Sequence, residues 1–180
     1  MEIPDEVKAL WNNYNLPERV RKHCIAVAEL ALRIAEQIKK NGKELDIESI
    51  KFGALLHDIG RAITNDPFQH FIESAKILKN AGFEERIVRI AERHFSAGLS
   101  RDDALKLGLE AKDYIPETLE EKIVSFADNL VFGERVVSFE DFLKRIDELS
   151  SNEMKWLTEE TIKRALKMKE EIEKLSGLKF

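Results

Sequence analysis

The chain has 180 residues, a formal net charge of −5 and a hydrophobic content of 43%, which suits a folded core and excludes a disordered chain. The acid excess argues against nucleic acid as the main partner, and the single cysteine, Cys24, excludes an internal disulfide.

Taken in order, every segment with a clear pattern has the helical period, and none alternates at period two over a useful length. Residues 1–15 read as an amphipathic lead-in carrying Val7, Leu10, Trp11 and Tyr14. Pro17 suits the first turn of a helix running to about Lys40, with Val20, Cys24, Val27, Leu30, Ala31, Ile34 and Ile38 on its apolar face. At 100° per residue, His23 falls among Val20, Cys24 and Val27, so the spacing points it inward. Asp46 is the expected N-cap of the next helix, which buries Ile47, Ile50, Ala54 and Leu55, delivers His57 and Asp58, and stops at Gly60. Asp66-Pro67 reads as a cap and first-turn proline opening a helix to Asn80 that carries His70. The spacing predicts a further helix over 84–95, where Ile87, Ile90, Ala91 and His94 share the apolar face.

Ser100 and Asp103 form the pattern of a capping box before a short helix, and Thr118 with Glu121 repeats it. The helix after Thr118 buries Ile123, Val124, Ala127, Leu130 and Val131, borders its inner face with Asp128, and runs to Gly133. Ser138 is expected to cap a helix with Phe139, Phe142 and Ile146, and Thr158 to cap a last one ended by Gly177. The expectation is an all-α single domain over residues 1–180, with residues 134–180 a helical extension that brings no inward ionisable group. The N-terminus has no signal-peptide pattern and no apolar run nears the ~20 residues of a membrane span, so a cytoplasmic protein without a membrane partner is expected.

A lone inward histidine is usually a hydrogen-bonded core residue. Several inward histidines beside buried carboxylates are different, because buried acids are costly unless paired. Lys and Arg are scarce on these inner faces, which makes a cation the economical partner. Imidazole with carboxylate suits a divalent transition metal of the Mn, Fe, Co, Ni or Zn type.

The order His23, His57-Asp58, Asp128 resembles the H…HD…D pattern of the HD superfamily of metal-dependent phosphohydrolases, and Leu56-His-Asp-Ile-Gly-Arg61 resembles its HDIG subgroup. The resemblance covers about residues 17–133. It implies an all-helical bundle in which His23, His57, Asp58 and Asp128 bind one metal. Members with two metals add two histidines between HD and the last Asp, and His70 and His94 stand in that interval. Asp58 would then bridge the two ions. The GYP motif of cyclic-di-GMP phosphodiesterases is absent after Gly60, which argues against that substrate.

The chemistry implied is hydrolysis of a nucleotide or another small phosphate ester by a metal-activated water, with one or two metals per chain. Arg61, next to Gly60, and Arg19, one turn before His23, are the arginines expected to face a phosphate, Arg61 more than Arg19. The alternatives are a di-iron HD-fold oxygenase, a metal- or nucleotide-binding signalling module without turnover, and a structural helical body. The Trp156 and Phe139/Phe142 cluster reads as core or dimer packing, which keeps a homodimer open.

Overall fold

The structure is a computed structural model that describes all 180 residues. Nine helices follow one another: α1 (Asp5–Asn13), α2 (Glu18–Lys40), α3 (Ile47–Leu56), α4 (His70–Asn80), α5 (Glu85–Glu92), α6 (Arg101–Lys106), α7 (Leu119–Asn129), α8 (Phe139–Leu149) and α9 (Lys155–Ser176). A two-strand hairpin, β1 (Val131–Phe132) and β2 (Arg135–Val136), separates α7 from α8, and a 3-10 turn over Ile59–Ala62 follows α3. The all-α reading therefore stands, with one small hairpin added.

The centre of the body is α2, whose Cys24, Val27, Ala28, Ala31, Ile34, Ala35 and Ile38 are fully buried. It packs mainly on α3 and α7, and α5 closes the other side of α3. Each valine or isoleucine so buried contributes about 1.5–3 kcal/mol over an exposed one. The α3–α5 approach depends on Gly53, where an added Cβ would lie 2.6 Å from the Ile90 side chain. A second, smaller cluster of Phe71, Leu99, Ala104, Leu109, Tyr114 and Leu157 lies under the 95–115 segment.

Several element ends differ from the sequence reading, each for a local reason. The helix expected to open at Asp66-Pro67 begins only at His70: Asp66 Oδ1 accepts from Phe68 N in a turn, and Gln69 is the N-cap of α4 without a side-chain bond. The helix carrying Ile87 and Ile90 stops at Glu92, so His94 sits just beyond it. The Thr118 box is half formed: Thr118 accepts from Glu121 N, but the Glu121 carboxylate turns to Glu117 N and Arg89. Thr158 lies inside α9 and bonds Ser150 Oγ at 2.8 Å. α7 ends at Asn129, short of Gly133, because residues 131–136 pair as the hairpin, with Val131 opposite Val136 and Phe132 opposite Arg135. Gly133 takes φ +63 in its two-residue turn, a conformation such turns require.

The extension also carries ionisable groups inward, against expectation. Arg164 of α9 reaches Asp103, itself 4% exposed, at 2.7 Å and donates to Gly98 O. Glu173 accepts from Lys169, Lys179 and Phe180 N, and these bonds, led by Lys169, pull its carboxyl down to about 2.

Candidate metal centre

α3 ends on the pair that the rest of the site surrounds. His57 is fully buried and its Nδ1 donates to Ala54 O at 2.7 Å, one turn back in its own helix. That bond puts the proton on Nδ1 and leaves the Nε2 lone pair facing inward. His57 Nε2 is buried with no hydrogen-bond partner in the protein. His94 repeats the device: its Nδ1 donates to Ala91 O at 2.7 Å. His23 donates from Nδ1 to Gly133 O at 2.9 Å, so the hairpin turn orients it. His70 holds a looser bond from Nδ1 to Asp66 O at 3.4 Å.

All four Nε2 atoms converge on two carboxylates. Asp128 Oδ1 lies 2.9 Å from His23 Nε2 and 3.4 Å from His57 Nε2. Asp58 faces both ways: its Oδ2 is 4.0 Å from His57 Nε2, and its Oδ1 is 3.2 Å from His70 Nε2 and 3.4 Å from His94 Nε2. The Nε2 atoms of His70 and His94 are 3.1 Å apart. Three overlapping triplets result, His23/His57/Asp58, His57/His94/Asp128 and Asp58/His70/His94, with potential ligand atoms within 4.8 Å of one another.

This donor set fits a divalent transition metal. With Nδ1 protons committed to backbone carbonyls, the site is a shell of lone pairs and carboxylate oxygens, which repel unless a proton or a cation lies between them. Proton uptake shows the same demand. Burial opposes charge on His23, but the bond to Asp128 outweighs it and raises the imidazole above its ordinary value. Burial opposes His57 too, yet the carboxylates of Asp58 and Asp128 hold it well above that value. Burial would raise Asp58 and Asp128, but His57 and the bonds from neighbouring imidazoles keep both well below the usual carboxylate range. His94 goes the other way: burial, then the like charges of His57 and His70, depress it despite its bond to Asp58.

Gly60 explains why the motif ends as it does. A Cβ there would meet His70 O at 2.0 Å and Ser74 N at 2.6 Å, so only glycine lets the N-terminus of α4 lie against the 3-10 turn. Gly60 N donates to Ser74 Oγ at 2.8 Å across that contact. The glycine thereby brings His70 within reach of Asp58.

The cluster opens into a cleft of about 770 Å³, and all the predicted site residues except buried His57 line it. Arg61 lies beside Asp58, with Nε 3.5 Å from Oδ1 and Nη1 donating to Asn65 O. Scarce as Lys and Arg are on the inner faces, one guanidinium does lie beside a buried acid. Arg19 is exposed on the cleft wall and touches no ligand atom of the cluster.

Three features of the site escaped the sequence. Ser96 lines the cleft with φ +54, and its carbonyl accepts from both Ser125 Oγ and Asn129 Nδ2, which fixes the turn after His94. The 134–180 extension forms a wall of the cleft through Phe142, Arg145, Ile146, Leu157 and Thr161. Arg145 lies over the Phe132 ring at 4.2 Å. No local pattern signals these; Arg145 reads as one more exposed helix position.

Comparison with known proteins agrees with the geometry. An uncharacterized protein of Methanocaldococcus jannaschii is 44% identical over 159 residues, covering 88% of this chain and 90% of its own. The tRNA (cytidine(56)-2'-O)-methyltransferase of Picrophilus torridus is 42% identical over 147 residues, 81% of this chain but 41% of that enzyme. The chain thus spans less than half of that relative's length. The crystal structure of the HD domain of the L. monocytogenes phosphodiesterase PgpH shares the fold, with a TM-score of 0.54 at 19% identity over 97% of this chain and 99% of that one. The HD domain family model matches residues 20–133, which include every residue of the His/Asp cluster, and the chain belongs to the HD domain family.

Proposed function

We propose that this protein is a metal-dependent phosphohydrolase that cleaves a small phosphate ester, a nucleotide or a similar compound, with water as the nucleophile. One observation carries the reading: four imidazoles, three of them locked by Nδ1–H bonds under 3 Å to carbonyls, aim Nε2 at two carboxylates, buried Asp58 and half-buried Asp128, with His57 Nε2 unpartnered among them. His23, His57, Asp58 and Asp128 are the proposed ligands of one ion, and His70 and His94 with Asp58 those of a second. A divalent metal bound there supplies an acidified water and positive charge for the phosphoryl oxygens.

The chain's own groups do the rest. Asp58 presents one oxygen to each half of the cluster and would be shared between the two ions. Arg61 holds Asp58 from outside and offers its remaining guanidinium donors to the cleft. Cys24 is fully buried, so burial pushes its thiol up and it serves as packing against His57, without a nucleophilic part.

The test is a phosphate-ester panel assayed with each of Mn, Fe, Co, Ni and Zn. Wild type is expected to turn over at least one ester only with metal. Asp58→Ala is expected to lose about a hundredfold or more, the effect of removing ~3 kcal/mol of charge stabilisation. Full activity in Asp58→Ala, or none in wild type with any metal, overturns the proposal. The name of the Picrophilus relative favours one further arm, a short RNA oligonucleotide, to ask whether the ester lies at an RNA end.

A further inference from the structure

The geometry points to a second half of the cleft, built by the C-terminal extension, that binds a planar heteroaromatic ring carried by the phosphate ester, with Arg145 as the residue that sets this specificity. The inference rests on the hydrolase reading and names the part of the substrate that the His/Asp cluster does not touch.

Size is the first argument. A phosphate held at the cluster is a handful of atoms, whereas a cleft of about 770 Å³ is large enough for a drug-sized molecule. The lining is also divided. Acidic and imidazole groups gather at the cluster, and the wall from beyond residue 133 is mainly apolar, with Phe142, Ile146 and Leu157 beside Arg145, Thr158 and Thr161. The family model ends at residue 133, so this wall lies outside the segment that the model matches.

Chemistry narrows the occupant. The Arg145 guanidinium lies over the Phe132 ring at 4.2 Å, which stiffens a long side chain into a flat platform. Guanidinium and phenyl faces both stack on planar rings. The hydroxyls of Thr158 and Thr161 line the same region beside the apolar side chains. Thr158 already donates to Ser150 Oγ, and the polar groups of this wall suit a ring with hydrogen-bonding edges better than a plain hydrocarbon. A nucleobase combines a flat face with such edges.

The experiment measures kcat/KM of the metal-loaded full chain for four nucleoside monophosphates and for glycerol phosphate. Wild type is expected to prefer the nucleotides. In Arg145→Ala the ratio of nucleotide to glycerol phosphate kcat/KM is expected to fall about tenfold, through KM for the nucleotide. Arg145→Lys keeps the charge without the flat face and is expected to lose the preference as well. A ratio unaltered in Arg145→Ala, or restored fully by Arg145→Lys, overturns the ring subsite. If wild type hydrolyses no ester, the hydrolase reading fails by itself, and adenosine titrated by calorimetry decides the subsite separately. Saturable binding weakened in Arg145→Ala upholds it, and absence of binding in wild type overturns it.

Discussion

Gly60 is the residue whose role the chain states least openly. Its place after His57-Asp58 reads as a helix stop, yet its reason is backbone contact: His70 O at 2.0 Å and Ser74 N at 2.6 Å from an added Cβ. Backbone cannot swing aside as a flexible side chain can. Gly60→Ala should therefore cost about 3 kcal/mol and lower the melting temperature by roughly 6–12 °C in metal-free protein. A melting point within about 2 °C of wild type would show that α4 shifts freely. Legibility at this scale was uneven. The identities of His23, His57, Asp58, His94 and Asp128 followed from helical spacing and the motif. The tautomers did not, because they depend on carbonyls that only the fold places, such as Gly133 O above His23, 110 residues away. Nearness to the motif points to Arg61, but its contact with Asp58 depends on the 3-10 turn.

At the scale of elements, periodicity located the helices and misjudged their ends. A two-residue strand is too short to show alternation, so the hairpin was hidden inside what read as the tail of α7. In sequence the ionisable groups of the extension look solvated, which makes it look passive. Arg164 shows otherwise: it joins α9 to Asp103, the N3 residue of α6, and to Gly98 O in the loop that follows His94. Removing one member of such a buried pair leaves the other charge unpaired. Arg164→Ala should cost about 3 kcal/mol while metal binding persists, because Arg164 touches no residue of the cluster. Thermal melting with metal analysis checks both halves, and an unchanged melting temperature would contradict the account of α9 as a brace.

For the whole molecule, no helix is long and apolar enough to cross a membrane, and stability should depend on what fills the cluster. His23 and His57 bind protons more tightly in the folded chain than in the unfolded one. The stability they add is complete below the ordinary value of 6.5 and is lost as pH rises through their higher folded values. His94 is depressed, so its contribution varies only below 6.5. The melting temperature of metal-free protein should fall as pH rises from about 6.5 to about 9, and a flat or rising profile would contradict the assignment. Metal competes with those protons, so its stabilisation should grow over the same range. The central claim is that the six converging side chains are a metal site, and metal per chain, measured beside hydrolysis after saturation and desalting, tests it most directly. The account predicts about two equivalents in wild type, about one in His94→Ala, and almost none, with hydrolysis lost, in His57→Ala. Less than about a tenth of an equivalent in wild type with every one of Mn, Fe, Co, Ni and Zn would contradict it.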